Sequence, residues 1–164
     1  MAPSITPSEA LWFAPFVLPI CLYVCWSDLR AMRIYNRTVI LLGLVFLLVG
    51  PFALPLSEYP WRLLAALVAL ILGMVANALG MMGAGDAKFI TVAVPFVDPG
   101  DAGLVIMLLA VISAAGVITH RAVRRTRLTR LAPDWESWHR GKDFPMGLAL
   151  GSTLGLYLLL GLAT

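Results

Sequence analysis

Charge is scarce in this chain. Nine Asp or Glu and twelve Lys or Arg among 164 residues make 13%, against roughly 25% in soluble domains. That excludes an ordinary soluble globular fold. Cysteine is scarcer still. Cys21 and Cys25 lie four apart in one apolar stretch, where helical neighbours cannot adopt disulfide geometry and two thiols alone make a poor zinc site. They read as small packing residues. Positions 1–10 hold no Lys or Arg, and no small-residue cleavage site follows the first apolar run. A cleaved signal is therefore not expected, and Pro3, Pro7 and Ser8 read as a short external tail. No constellation of nucleophilic Ser or Cys, of metal ligands or of cofactor-binding residues stands out, so neither cofactor nor metal is expected.

What fills the space is hydrocarbon. Six apolar stretches cover 11–26, 39–56, 63–82, 87–97, 102–118 and 144–163, and several approach the roughly 20 residues a tilted helix needs to cross a bilayer. The expected fold is an all-α membrane protein, a six-transmembrane helix bundle forming one integral membrane domain over 1–164. The few cations then orient it. Arg30, Arg33 and Arg37 fall between the first two stretches; Arg121, Arg124, Arg125, Arg127, Arg130, Arg140 and Lys142 fall between the last two; Lys88 adjoins Asp86, and only Arg62 lies elsewhere. Basic loops stay in the cytoplasm, which places both termini outside, with 57–62 and 98–101, in a cytoplasmic (inner) membrane.

The stretch 87–97 is short, about 16 Å of helix against a core of about 30 Å. If it failed to cross, the arginine-rich 119–142 loop would be external and the charge rule would break. It is expected to cross by borrowing residues from 83–88, with Lys88 snorkelling towards the headgroups; a re-entrant hairpin is the alternative. The loop from Arg121 to Arg130 reads as a site for anionic lipid headgroups rather than nucleic acid. Trp135, Trp138 and His139 fit an interfacial helix beside it.

Two carboxylates stand out in this setting. Asp28 closes the first stretch and Asp86 opens the fourth, both at the same predicted leaflet. Ionisable groups at the edge of a span are costly to desolvate and are functional candidates by default. Two carboxylates brought together share a proton, one activating a water while the other polarises a carbonyl. The glycines of Gly83-Ala84-Gly85-Asp86 suggest an opened backbone with room for a second strand. Helix contact through small residues is the alternative, although such a contact needs no carboxylate.

These residues resemble a known family. Asp28-Leu29-Arg30-Ala31-Met32-Arg33-Ile34-Tyr35-Asn36 is similar to the first catalytic segment of the type IV prepilin peptidases, an Asp followed by basic residues and Ile-Pro-Asn. Gly83-Ala84-Gly85-Asp86-Ala87-Lys88 resembles their second, the GxGD signature of intramembrane aspartyl proteases. Phe144-Pro145-Met146-Gly147 resembles a third that opens the last span. The resemblance implies an aspartyl endopeptidase with Asp28 and Asp86 as the catalytic pair, and with Gly83, Gly85, Lys88, Asn36, Pro145 and Gly147 supporting the active site or substrate. It would remove the short basic leader of prepilins or pseudopilins at the cytoplasmic face. Tyr35 stands where the family usually has Pro, leaving Asn36 to cap the second span. A cysteine-rich insertion is missing between the first spans, so the chain looks like the short form of tight-adherence (Flp) pilus systems, without methyltransferase activity. A small proton- or ion-coupled transporter and a non-enzymatic scaffold of a pilus or secretion system are the competing readings.

Overall fold

The computed structural model describes residues 3–141 and 143–164; Lys142, one of the cations used to orient the chain, lies outside them, as do Met1 and Ala2 of the tail. Among the described residues six α-helices follow one another: α1 Pro7–Ala31, α2 Asn36–Ala53, α3 Tyr59–Ala78, α4 Ala84–Ala93, α5 Ala102–Arg124 and α6 Met146–Leu162. No strand occurs among the described residues. Four segments of the described residues are long and apolar enough to cross a membrane: α1, α2, α3 and the stretch Pro99–Arg124 that ends with α5. The all-helical expectation holds, and each apolar stretch nucleates one helix.

Local chemistry sets the helix ends. At the start of α1, Thr6 Oγ1 accepts from the Glu9 amide and Glu9 Oε2 from the Thr6 amide, both at 3.2 Å, a reciprocal cap that satisfies two otherwise orphaned donors. α1 stops where Met32 takes a left-handed conformation (φ 49°), uncommon for a residue with a side chain. Its amide donates to the Asp28 carbonyl at 2.8 Å. Only residues 32–35 then separate α1 from α2.

α1 and α6 form the central pair, with α2 and α4 against them, α3 outside α4 and α5 outside α6. Cys25 Sγ lies 3.5 Å from the Leu148 carbonyl of α6 and Cys21 is buried, as packing residues would be. Phe13, Phe46 and Phe96 meet at centroid distances of 4.9 to 6.0 Å, joining α1, α2 and the end of α4 in one aromatic core. Most of α3 and α5 faces outward with apolar side chains, as lipid contact requires.

One expectation is met in part and one changes. α4 begins at Ala84 and passes at Val94–Phe96 into a 3-10 turn. It does take in residues ahead of the apolar run, yet the two pieces together reach only about 21 Å. Among its described residues the segment after α5 forms no interfacial helix. Pro133 interrupts it and Gly141 takes a positive φ of 65°, leaving short 3-10 turns at Arg127–Leu131 and Glu136–Trp138. Trp135 stacks on Trp138, and Trp138 on His120 of α5 at 4.8 Å, so the tryptophans fold the segment back onto the bundle.

Candidate active site

Asp28 sits in the last turn of α1, only 5% exposed. Its Oδ2 accepts a 2.6 Å hydrogen bond from the Gly147 amide in the first turn of α6. That amide is one of the four a helix start leaves without an internal partner, and the positive end of the helix favours an acceptor there. The approach demands glycine. A methyl at position 147 would lie 2.9 Å from Asp28 Cβ, Cγ and Oδ2, inside van der Waals contact. Pro145 precedes it as the N-cap residue of α6 and is fully buried. The third sequence segment thus acts through its backbone, holding the first aspartate.

Asp86 lies in the first turn of α4, half-buried. Its carboxylate folds back over Gly83, whose missing side chain would fall 2.8 Å from Asp86 Oδ2. The backbone opening expected across Gly83–Asp86 is displaced towards the N-terminus. The turn occupies 79–83, with Gly80 at φ 72°, and Gly85 and Asp86 are already helical. Each carboxylate is therefore presented at a helix N-terminus, Asp86 at that of α4 and Asp28 at that of α6.

One cavity of about 1370 Å³ brings both aspartates together. Gly83, Gly85, Asn36, Lys88 and Pro145 line it too, so of the eight sequence-predicted residues only Gly147 touches it indirectly, through Asp28. Gly85 rests against Ile34, where a methyl would make an ordinary 3.5 Å contact. Asn36 does not cap α2. Tyr35 holds the N-cap position without a side-chain bond, and Asn36 Oδ1 instead accepts from Lys88 Nζ at 3.1 Å. The sequence has Lys88 snorkelling towards the headgroups, but its ammonium is turned across the cavity to tie α4 to α2. Sequence reasoning missed Asp143, an exposed third carboxylate on the wall. Its position directly before Phe144-Pro145-Met146-Gly147 was the available signal. It also missed the strained Met32, which lines the cavity beyond Asp28.

A sequence profile described as the type IV leader peptidase family matches residues 16–119, more than half of the chain. The chain belongs to the type IV leader peptidase family. No curated protein and no solved structure matches it. The matched region runs from within α1 to within α5 and includes both aspartates. The leader peptidase's third segment, at Phe144–Gly147 in sequence, falls beyond the match, yet the fold closes it onto Asp28. Membership favours a peptidase over the transporter and scaffold readings.

Proposed function

We propose that this leader peptidase is an aspartyl endopeptidase that uses Asp28 and Asp86 to hydrolyse the leader of a prepilin or pseudopilin. The observation that carries the proposal is the shared cavity: two carboxylates from helices distant in sequence line one water-accessible space at one end of the bundle. In the reaction one carboxylate takes a proton from water as its oxygen attacks the scissile carbonyl, while the other, protonated, donates to the carbonyl oxygen. Collapse of the tetrahedral intermediate breaks the C–N bond: the leaving amine takes up the proton held by the first carboxylate, and the hydroxyl that re-forms the carbonyl returns its proton to the second. Gly147 keeps Asp28 oriented, and the helix starts supply fixed dipoles at no cost of reorganisation.

The topology follows from charge. Arg30, Arg33 and Arg37 flank the cavity end of α1 and α2, and the arginines after α5 lie at the same end, so that end faces the cytoplasm by the positive-inside rule. Six crossings, with α4 and α6 crossing as short helices buried against their neighbours, keep both basic loops on one side and both termini outside. The whole chain forms one membrane-embedded peptidase domain in the inner membrane. With only residues 32–35 between α1 and α2, no cysteine-rich domain stands there, and cleavage is expected to leave a free amine on the mature pilin.

Purified protein incubated with a prepilin-like peptide tests this. Cleavage by the wild type, falling about 10²- to 10⁴-fold in both Asp28→Asn and Asp86→Asn with unchanged thermal stability, is the expected result. Wild-type-like cleavage by either variant overturns the pair mechanism. A 14 Da addition to the product that depends on this chain and a methyl donor would overturn the assignment of cleavage without methylation (one methylene, an addition of about the size set by replacing N–H with N–CH₃).

A further inference from the structure

We infer that the turn after α5 holds a phosphate-binding site whose ligand is the headgroup of an anionic membrane phospholipid. A second cavity, of about 300 Å³, opens there between the end of α5 and the 3-10 turns, lined by Arg124, Thr129, Arg130, Trp138 and His139 among others. A phosphate needs several donors converging from different elements, and guanidinium forks supply them in matching planar geometry. Arg124 comes from the last turn of α5 and Arg130 from the Arg127–Leu131 turn. Arg124 spends one donor on the Gly141 carbonyl, which holds the guanidinium in place and leaves others for a ligand. Thr129 and His139 complete the lining, each turned to the backbone, the Thr129 hydroxyl donating to the Thr126 carbonyl and His139 Nε2 to the Pro133 carbonyl, so the two guanidiniums are the donors left for a ligand. Among the described residues neither arginine has a carboxylate within salt-bridge distance, although Asp134 and Glu136 are close in sequence; Glu136 is taken by Arg140 at 2.6 Å.

Uncompensated guanidiniums around a concave space fit any phosphate. The surroundings select a lipid. Leu128 and Leu131, on the same turn as Arg127 and Arg130, are 55% and 84% exposed, an arrangement that suits side chains entering the acyl boundary while their neighbours meet headgroups. Ile118 and Val111 continue the apolar exposure down α5, offering a path for an acyl chain. Trp138 forms one wall, stacked on Trp135 and His120, and indole rings favour the membrane interface. The site stands apart from the aspartate cavity and does not depend on the peptidase reading.

The test measures binding by native mass spectrometry and by the shift in melting temperature of the full chain in a non-ionic detergent. Phosphatidylglycerol, phosphatidylcholine and inorganic phosphate are compared at equal concentration. Phosphatidylglycerol is expected to bind and raise the melting temperature, and Arg124→Gln with Arg130→Gln together to weaken binding about thirtyfold. Because Arg124 also holds Gly141, Arg130→Gln alone is measured beside Arg121→Gln, an exposed arginine outside the cavity; only the first is expected to weaken binding. Equal binding of phosphatidylcholine, or equal loss in both single variants, overturns the site. A shift with inorganic phosphate as large as with phosphatidylglycerol overturns the lipid as its ligand.

Discussion

The two ends of the bundle handle buried charge in opposite ways. At the end away from the cavity, Arg62 is 3% exposed and Asp101 likewise 3%, yet each has protein partners for its charge. Arg62 donates to Asp98 Oδ2 at 2.8 Å and to the Val97 carbonyl, with Glu58 at 3.6 Å. Asp101 accepts from the Ser4 and Ile5 amides and from the Tyr157 hydroxyl at 2.7 Å, and that hydroxyl in turn accepts from the Asp98 amide at 3.0 Å. Four parts of the chain are stitched together there. At the other end Asp28 is held from one side, by the Gly147 amide at the start of α6, Asp86 is held over a glycine, and both line the cavity. Partnered charge clamps a structure, whereas charge left with free lone pairs beside water is available for chemistry.

Removing the clamp is the largest way to break this contrast. Arg62→Ala leaves Asp98 without its partner in a partly buried place, and breaking such a pair costs about 3–5 kcal/mol when fully buried. Asp98 remains 23% exposed, so the lower part of that range is expected. Chemical denaturation in detergent should report the loss, while cleavage per folded molecule stays near wild type. Loss of turnover in the molecules that remain folded would mean that the far end transmits to the site and that the two ends are not separable.

Gly147→Ala is the matching change at the open end. The added methyl sits 2.9 Å from Asp28, and a displacement on the order of 1 Å in a reacting group can cost about 10²-fold. Turnover should fall by about that factor, with a smaller drop in melting temperature of the kind overpacking brings. A variant that keeps its activity would show that Asp28 does not depend on the start of α6 for its orientation.

The contrast also explains what was legible beforehand. Apolar runs and basic loops marked all six helices and put Asp28 and Asp86 at one end, because hydropathy and charge act through local sequence. The clamp was invisible. Arg62 read as a leftover cation in an external loop, since its burial depends on Asp98 and Val97 arriving from beyond α4. Asn36 read as a cap because Asn commonly serves as one, but the partner that redirected it, Lys88, comes from another helix. The interfacial helix failed for a related reason: Trp138 found His120, and stacking on a tertiary partner outweighed a local amphipathic preference.

Gly85 separates packing from substrate space. It lies in the first turn of α4, and a methyl there would meet only Ile34 at an ordinary 3.5 Å. Gly85→Ala should therefore keep or slightly raise stability, by at most about 1 kcal/mol, because alanine suits a helix better. If an extended substrate strand runs against that surface, cleavage falls by about tenfold through KM, the worth of roughly one unfavourable contact. Unchanged KM in the stable variant would place the substrate elsewhere in the cavity.

The smallest expected effect concerns the strap across the cavity. Lys88 Nζ and Asn36 Oδ1, 3.1 Å apart, join the start of α4, which carries Asp86, to the start of α2. Both residues are exposed, so the bond is expected to contribute only about 1 kcal/mol. If Lys88 serves to steady α4, then Lys88→Met and Asn36→Ala remove the same interaction. Each should lower kcat a few-fold, by about the factor that free energy implies, and the double variant should be no worse than either single one, since residues in contact are not additive. A full double-mutant cycle of peptide cleavage measures this. If Lys88→Met is much the more damaging and its effect adds to that of Asn36→Ala, Lys88 acts on the substrate directly. The open end would then hold its aspartates without help from α2, and the cation on its wall would belong with the groups that bind the peptide.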